Sequence, residues 1–159
     1  NDTATTEIYT LSLHDALPIC NSGPAFTVPA KMPYMFKDLQ RLSAYYQIPL
    51  KIPANFPANT VTVQRVLCAA SDEQRPALTL KLYEAYWGQG LDVTNVELLS
   101  QLVGAELVAK TQEDSVKNTL KANTDDVVAR GAFGAPTFFV GDEMFFGSDR
   151  FFLIQEAVK

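Results

Sequence analysis

The sequence predicts an α/β chain in which four or five helices precede a single β-hairpin and a closing helix. Three observations carry that expectation. Apolar residues recur at three- and four-residue spacings from Phe36 to Val128, the period of helices that bury one face. Two runs of β-formers, Thr137–Val140 and Glu143–Phe146, flank Gly141-Asp142, and a two-residue turn with glycine first signals a hairpin. Ala135-Pro136 precedes the first run, and Gly147-Ser148-Asp149-Arg150 follows the second.

Taken in order, Asn21–Lys31 has turn composition and no period, so it reads as a loop. Pro33 fits the first turn of a helix, where its missing N–H costs nothing. Phe36, Leu39, Leu42, Tyr45 and Tyr46 then form one apolar face. Pro49, Pro53 and Pro57 exclude a helix interior, so this stretch is expected to be an extended linker. Asn59 is the expected cap of the next helix, with Val63, Val66, Leu67 and Ala70 inward. Pro76 opens another, carrying Leu78, Leu82, Ala85 and Tyr86 and ending at Gly88 or Gly90. Thr94-Asn-Val-Glu97 matches a capping box ahead of Leu98, Leu99, Leu102 and Val103, with Gly104 as the stop. The last helical region spans about residues 111–130 on Val116, Leu120, Val127 and Val128. Proline lacks the N–H of a sheet ladder, so Pro136 belongs at a strand's start. Ser148 or Asp149 before the apolar run to Val158 reads as an N-cap.

The totals narrow the function. A length of 159 residues with 47% hydrophobic content suits one domain, or one domain with an insertion. No run approaches the roughly 20 apolar residues of a membrane span. A net charge of −5 without a basic cluster points away from nucleic acid. Cys20 and Cys68 make neither a CxxC pair nor a zinc site. Residues 1–19 resemble the in-frame translation of a short-read sequencing adaptor, so they are set aside from the fold. That exclusion removes His14, the single histidine, and also Ser12. Losing Asp2, Glu7 and Asp15 takes the net charge to −2 over residues 20–159.

Proline, strand, turn, strand and closing helix resemble the final ββα of the thioredoxin fold, where a cis-proline precedes the third strand. Gly131-Ala-Phe-Gly-Ala-Pro-Thr137 with Phe146-Gly-Ser-Asp-Arg150 resembles the kappa-class glutathione transferases and the 2-hydroxychromene-2-carboxylate isomerases. The resemblance covers residues 21–159 nearly end to end. It implies a thioredoxin-like α/β fold of the DsbA/kappa type with an α-helical insertion. Residues 20–130 would be loop and insertion and 131–159 the closing ββα, with the first βαβ unit missing.

The resemblance further implies glutathione as cofactor. Ala135 would pair its backbone with the cysteinyl part beside a cis-Pro136. The γ-glutamyl end would meet Ser148 through N–H and hydroxyl, and Asp149 through its carboxylate. Lys31 would approach a glutathione carboxylate, and Asn21 matches a family Gly-Asn pair by its asparagine alone. Arg65 also recurs in the family. The family's catalytic serine opens the first thioredoxin helix, and no residue here takes that role, so this chain is expected to be inactive although its parent is an enzyme. Tyr86 and Trp87 read as core of the insert, and Cys68 as a buried small hydrophobe.

The parent would act on an aromatic-derived acid or an electrophile, in the cytoplasm, with a homodimer left open. Two other readings remain: a DsbA-like thiol-disulfide oxidoreductase whose CxxC lay further upstream, and a non-catalytic helical protein. The hairpin motifs favour the glutathione enzyme.

Overall fold

A computed structural model of the chain describes the backbone of residues 6–9 and, in full, residues 31–159. The chain divides into two compact units, one of residues 25–121 and the other of residues 1–24 with 122–159.

The first unit is helical. Helix α1 (Met32–Tyr46) starts with proline in its first turn and ends at Gln47 in the left-handed region, φ +56°. It forms where the spacing predicts, yet none of its residues is buried, and Tyr45 is 80% exposed. The proline-bearing linker then runs back along the later helices. Lys51 N–H donates to Trp87 O at 2.6 Å, and the Phe56 ring lies 5.5 Å from that of Trp87. Helix α2 (Val61–Ala69) corrects the expected cap: its N-cap is Thr60 without a side-chain bond, and Asn59, one residue earlier, uses its side-chain oxygen in a turn that accepts from Val61 N–H at 3.1 Å. Helix α3 (Arg75–Tyr83) passes into a π-helical turn, Glu84–Gly88.

Helix α4 (Val96–Val103) corrects one expectation. Its cap is Asn95, accepting from Leu98 N–H at 3.0 Å, and Thr94 plays no part in a box with Glu97. Asp92 explains the shift, because its Oδ1 accepts from both the Thr94 hydroxyl (2.5 Å) and the Thr94 N–H (2.9 Å). The threonine side chain is thus taken by a turn one step earlier. Gly104, at φ +93°, stops α4 and starts α5 (Ala105–Lys110), a helix in a stretch that the sequence reading leaves unassigned between Gly104 and residue 111. Val63, Val66, Leu82, Ala85, Tyr86 and Leu99 join in one buried cluster, as their spacing requires. Fully burying such side chains contributes about 1.5–3 kcal/mol each.

The second unit is a small antiparallel sheet with helices. Helix α6 (Asp114–Ala129) carries the division between units at residues 121 and 122. Of its expected apolar points Val116 and Val127 are buried, but Val128 is 41% exposed, being turned off the buried stripe. Strands β2 (Thr137–Val140) and β3 (Glu143–Phe146) form the expected hairpin, Val140 facing Glu143 across Gly141 at φ +58°. Only glycine enters that region without strain.

Strand β1 (Thr6–Tyr9) pairs antiparallel with β2, Thr6 facing Val140 and Tyr9 facing Thr137, so the sheet order is β1-β2-β3. Setting residues 1–19 aside from the fold is corrected at these four positions. Their β-forming run meets the open edge of β2, whose backbone groups otherwise lack a ladder on that side.

All four β2 residues are buried. Phe139 clusters with Val127 and Ala132, while Phe138 and Val140 cluster with Ile154 of helix α7 (Phe151–Ala157). Side chains alternate along a strand, so β2 buries both faces. Arg130 secures the turn, donating to Gly141 O at 3.0 Å with its guanidinium carbon 3.7 Å over the Phe139 ring.

Asp92 ties the linker as well, accepting from Asn55 Nδ2 at 2.6 Å. Its carboxyl is held below the usual carboxylate value, first by the Thr94 hydroxyl and further by the Thr94 N–H and Asn55, against some desolvation. A depressed folded-state value adds stability above the unfolded pKa of about 3.9, and that stability is lost as pH falls through the folded value. Asp92→Asn should therefore flatten the acid limb of the urea-midpoint profile below about pH 4 and leave its neutral-pH slope alone. An unchanged acid limb would show that the Asp92 hydrogen bonds do not contribute. Leu99 is fully enclosed, so Leu99→Ala should cost about 2–5 kcal/mol in urea unfolding at pH 7.

Candidate functional site

The residues singled out around the hairpin come together at the start of β2 and the end of β3. Thr137 opens β2 with its side chain 1% exposed, and its hydroxyl donates back to Gly134 O at 2.6 Å. This closes a tight bend over Gly134-Ala135-Pro136. The Ala135–Pro136 peptide is cis, as the motif implied, and both residues are exposed. From the other strand, Gly147 N–H donates to Pro136 O at 3.0 Å. The proline therefore starts a strand whose ladder needs its carbonyl and not the N–H it lacks.

Gly147 has φ +100°, and a β-carbon there would sit 2.7 Å from Asp149 Oδ1. Glycine is required twice over, by the backbone conformation and by the carboxylate folded against it. Ser148–Arg150 then form a 3₁₀ turn that leads into α7.

The N-cap expected of Ser148 or Asp149 is corrected here. Neither the 3₁₀ turn nor α7 has a side-chain cap, and the Asp149 carboxylate Oδ2 instead accepts from the Arg150 guanidinium. The tight 3₁₀ start and the adjacent cation draw the carboxylate sideways. Ser148 and Asp149 are both exposed.

Ala135, Pro136, Ser148 and Asp149 thus lie on one continuous stretch of surface, joined by the Gly147–Pro136 hydrogen bond. Lys31 belongs to the helical unit, where it is exposed ahead of α1 and its carbonyl accepts from Met35 N–H at 3.0 Å. Asn21 lies outside the described residues. Among the described residues no group of three or more His, Cys, Asp or Glu could hold a metal ion.

The remaining candidates belong to the helical unit. Tyr86 is buried in the helical core, and Trp87 lines a small apolar cleft of about 40 Å³ with Met32, Met35, Phe36, Ile52 and Phe56 among its walls. Arg65 is half-buried on α2, and its Nε has no hydrogen-bond partner among the described residues. Cys68, half-buried on the same helix, has its thiol pushed up by burial, with Arg75 opposing weakly. Burial disfavours the thiolate.

The sequence reading missed how Phe133 and Phe146 frame Gly134, their ring centroids 4.5 Å apart. The available signal was a phenylalanine directly before a glycine in each motif, Phe133-Gly134 and Phe146-Gly147.

A strand-start cis-proline, an antiparallel hairpin and a closing helix define the thioredoxin-like class. Within it, a family model described as the DSBA-like thioredoxin domain matches residues 2–159, and the chain belongs to that family. It is 31% identical over 152 residues to a 2-hydroxychromene-2-carboxylate isomerase of Pseudomonas putida, an alignment covering 89% of this chain and 73% of the relative. It is 30% identical over 155 residues to glutathione S-transferase kappa 1 of Rattus norvegicus, covering 84% and 68%. The solved structure of a selenomethionine 2-hydroxychromene-2-carboxylate isomerase superposes with a TM-score of 0.78 at 28% identity, over 93% of this chain and 76% of that one. Its homologues are therefore isomerases and transferases that act on small molecules. No described helix is long and apolar enough to cross a membrane.

Burial that raises the Cys68 thiol should make it a slow nucleophile. With Cys20 replaced by serine, iodoacetamide should alkylate the folded chain at pH 8 several-fold slower than an unstructured cysteine peptide, whose pKa is about 8.5. Equal rates would show an accessible thiolate.

Proposed function

We propose that this chain binds glutathione, within a family chemistry that uses the glutathione thiolate as its nucleophile. One observation carries the reading: the Gly147–Pro136 hydrogen bond sets Ala135-Pro136 beside Ser148-Asp149. The residues fit the tripeptide. Exposed backbone at Ala135 suits the extended cysteinyl portion, which would add to the strand edge. Backbone N–H and hydroxyl at Ser148 suit the γ-glutamyl carboxylate, and the Asp149 carboxylate suits its ammonium.

In the isomerase chemistry, the thiolate adds to the activated double bond of an aromatic-derived unsaturated acid and so makes that bond single. Rotation follows, and expulsion of the thiolate restores the double bond, so glutathione is regenerated. In the transferase chemistry, the thiolate displaces a leaving group from an electrophile and the C–S bond remains. Either route needs a group that stabilises the thiolate.

The homologues named as isomerases and kappa transferases support this reading over disulfide exchange.

Isothermal titration with S-methylglutathione tests the reading without requiring catalysis. Asp149→Asn and Ser148→Ala should each weaken binding about tenfold, the scale of one lost charge-assisted contact. Wild-type chain that binds no S-methylglutathione would overturn it.

A further inference from the structure

Ala135 has a neighbour on each side held by consecutive residues of the opposite strand. On one side Gly147 N–H takes Pro136 O at 3.0 Å. On the other, the Phe146 ring lies over Gly134, so that a β-carbon added there would sit 3.0 Å from Phe146 Cε2 and 3.4 Å from Cζ. The ring has a fixed seat. It packs at 4.5 Å and 43° against Phe133, and Phe146 faces Thr137 across the sheet. Thr137 in turn donates to Gly134 O at 2.6 Å. Gly134 is thus gripped through its carbonyl and over its Cα, which leaves Ala135 little freedom between two anchored residues.

We propose that Phe146 is a positioning residue for the glutathione site, holding the Ala135 backbone at the angle that the cysteinyl part requires. The inference rests on the glutathione reading. Phe146 touches no ligand atom in this account. It acts through Gly134, and its effect should fall on the part of the ligand that uses Ala135. Ser148 and Asp149 lie beyond Gly147, whose own hydrogen bond to Pro136 does not require the ring, so the γ-glutamyl end should be indifferent to Phe146.

Two probes separate these ends: S-methylglutathione, which spans both, and γ-glutamylethylamide, which carries the γ-glutamyl end without the cysteinyl backbone. Binding of each is followed by NMR titration of the 159-residue chain, with thermal melts alongside. Phe146→Leu should weaken S-methylglutathione about tenfold and leave γ-glutamylethylamide within about twofold. Phe146→Tyr, which keeps the ring, should bind as the wild type does. Gly134→Ala pushes the ring aside without deleting it and should reproduce the selective loss, which keeps the idea testable if the leucine variant unfolds. Equal weakening of both probes would make Phe146 a support of the fold alone and overturn the proposal, as would undiminished binding of both. Wild-type chain that takes up neither probe would instead remove the glutathione reading on which the proposal stands.

Discussion

Thr137–Val140 is a strand with no face left for solvent. Phe139 and Thr137 look one way, Phe138 and Val140 the other, and all four are buried. A strand enclosed on both faces must be apolar or have its polar groups satisfied, as Thr137 is by Gly134 O, and must find helices for each side. α6 supplies Val127 to one side, and α7 supplies Ile154 to the other. The register of the sheet follows, because a one-residue slip would exchange the two sets of side chains. The clamp of Arg130 on the turn, and the return of Thr137 to Gly134, secure the two ends of the same strand.

The candidate site is a product of that confinement. A strand locked in register has a fixed first residue, and Pro136 is the residue just before it. Because proline offers no N–H, the segment ahead of it leaves the sheet and is exposed, still joined to β3 through the carbonyl that Gly147 uses. Exposed backbone beside a rigid strand is what a peptide-like ligand can pair with. The charged residues arrive by the same geometry, since β3 ends at Gly147 and Ser148-Asp149 come next. The function proposed here needs no mobile loop, only two strand ends kept level.

Much of this was legible in the residues. The hairpin declared itself through Gly141-Asp142 between β-formers, and the helical core through spacings such as Val63-Val66 and Leu82-Ala85-Tyr86. Thioredoxin-like class and family were legible through Gly131–Thr137 and Gly147–Arg150 together. What failed were choices among competing local partners. Thr94 and Asn95 can each cap a helix, and Asp92 decides between them by capturing the threonine. Ser148 and Asp149 have capping side chains, but Arg150 draws the carboxylate away. The apolar face of α1 had the right period and still has no fully buried residue, since periodicity reports that a face exists and not what covers it. Strand β1 was missed for a different reason, because its sequence was judged foreign to the fold before its β-forming character was weighed.

Gly147 has one more consequence, which concerns the open border of the sheet. Among the described residues β3 has a neighbour on one side only, and such a border invites a second molecule to add its own strand. Here the invitation is brief. The border begins at the charged Glu143 and ends four residues later, where the backbone at φ +100° turns out of the extended conformation into the 3₁₀ turn. An intruding chain would gain few hydrogen bonds before its template bent away, so the turn that delivers Ser148 and Asp149 to the surface also guards the sheet against growing into a fibre.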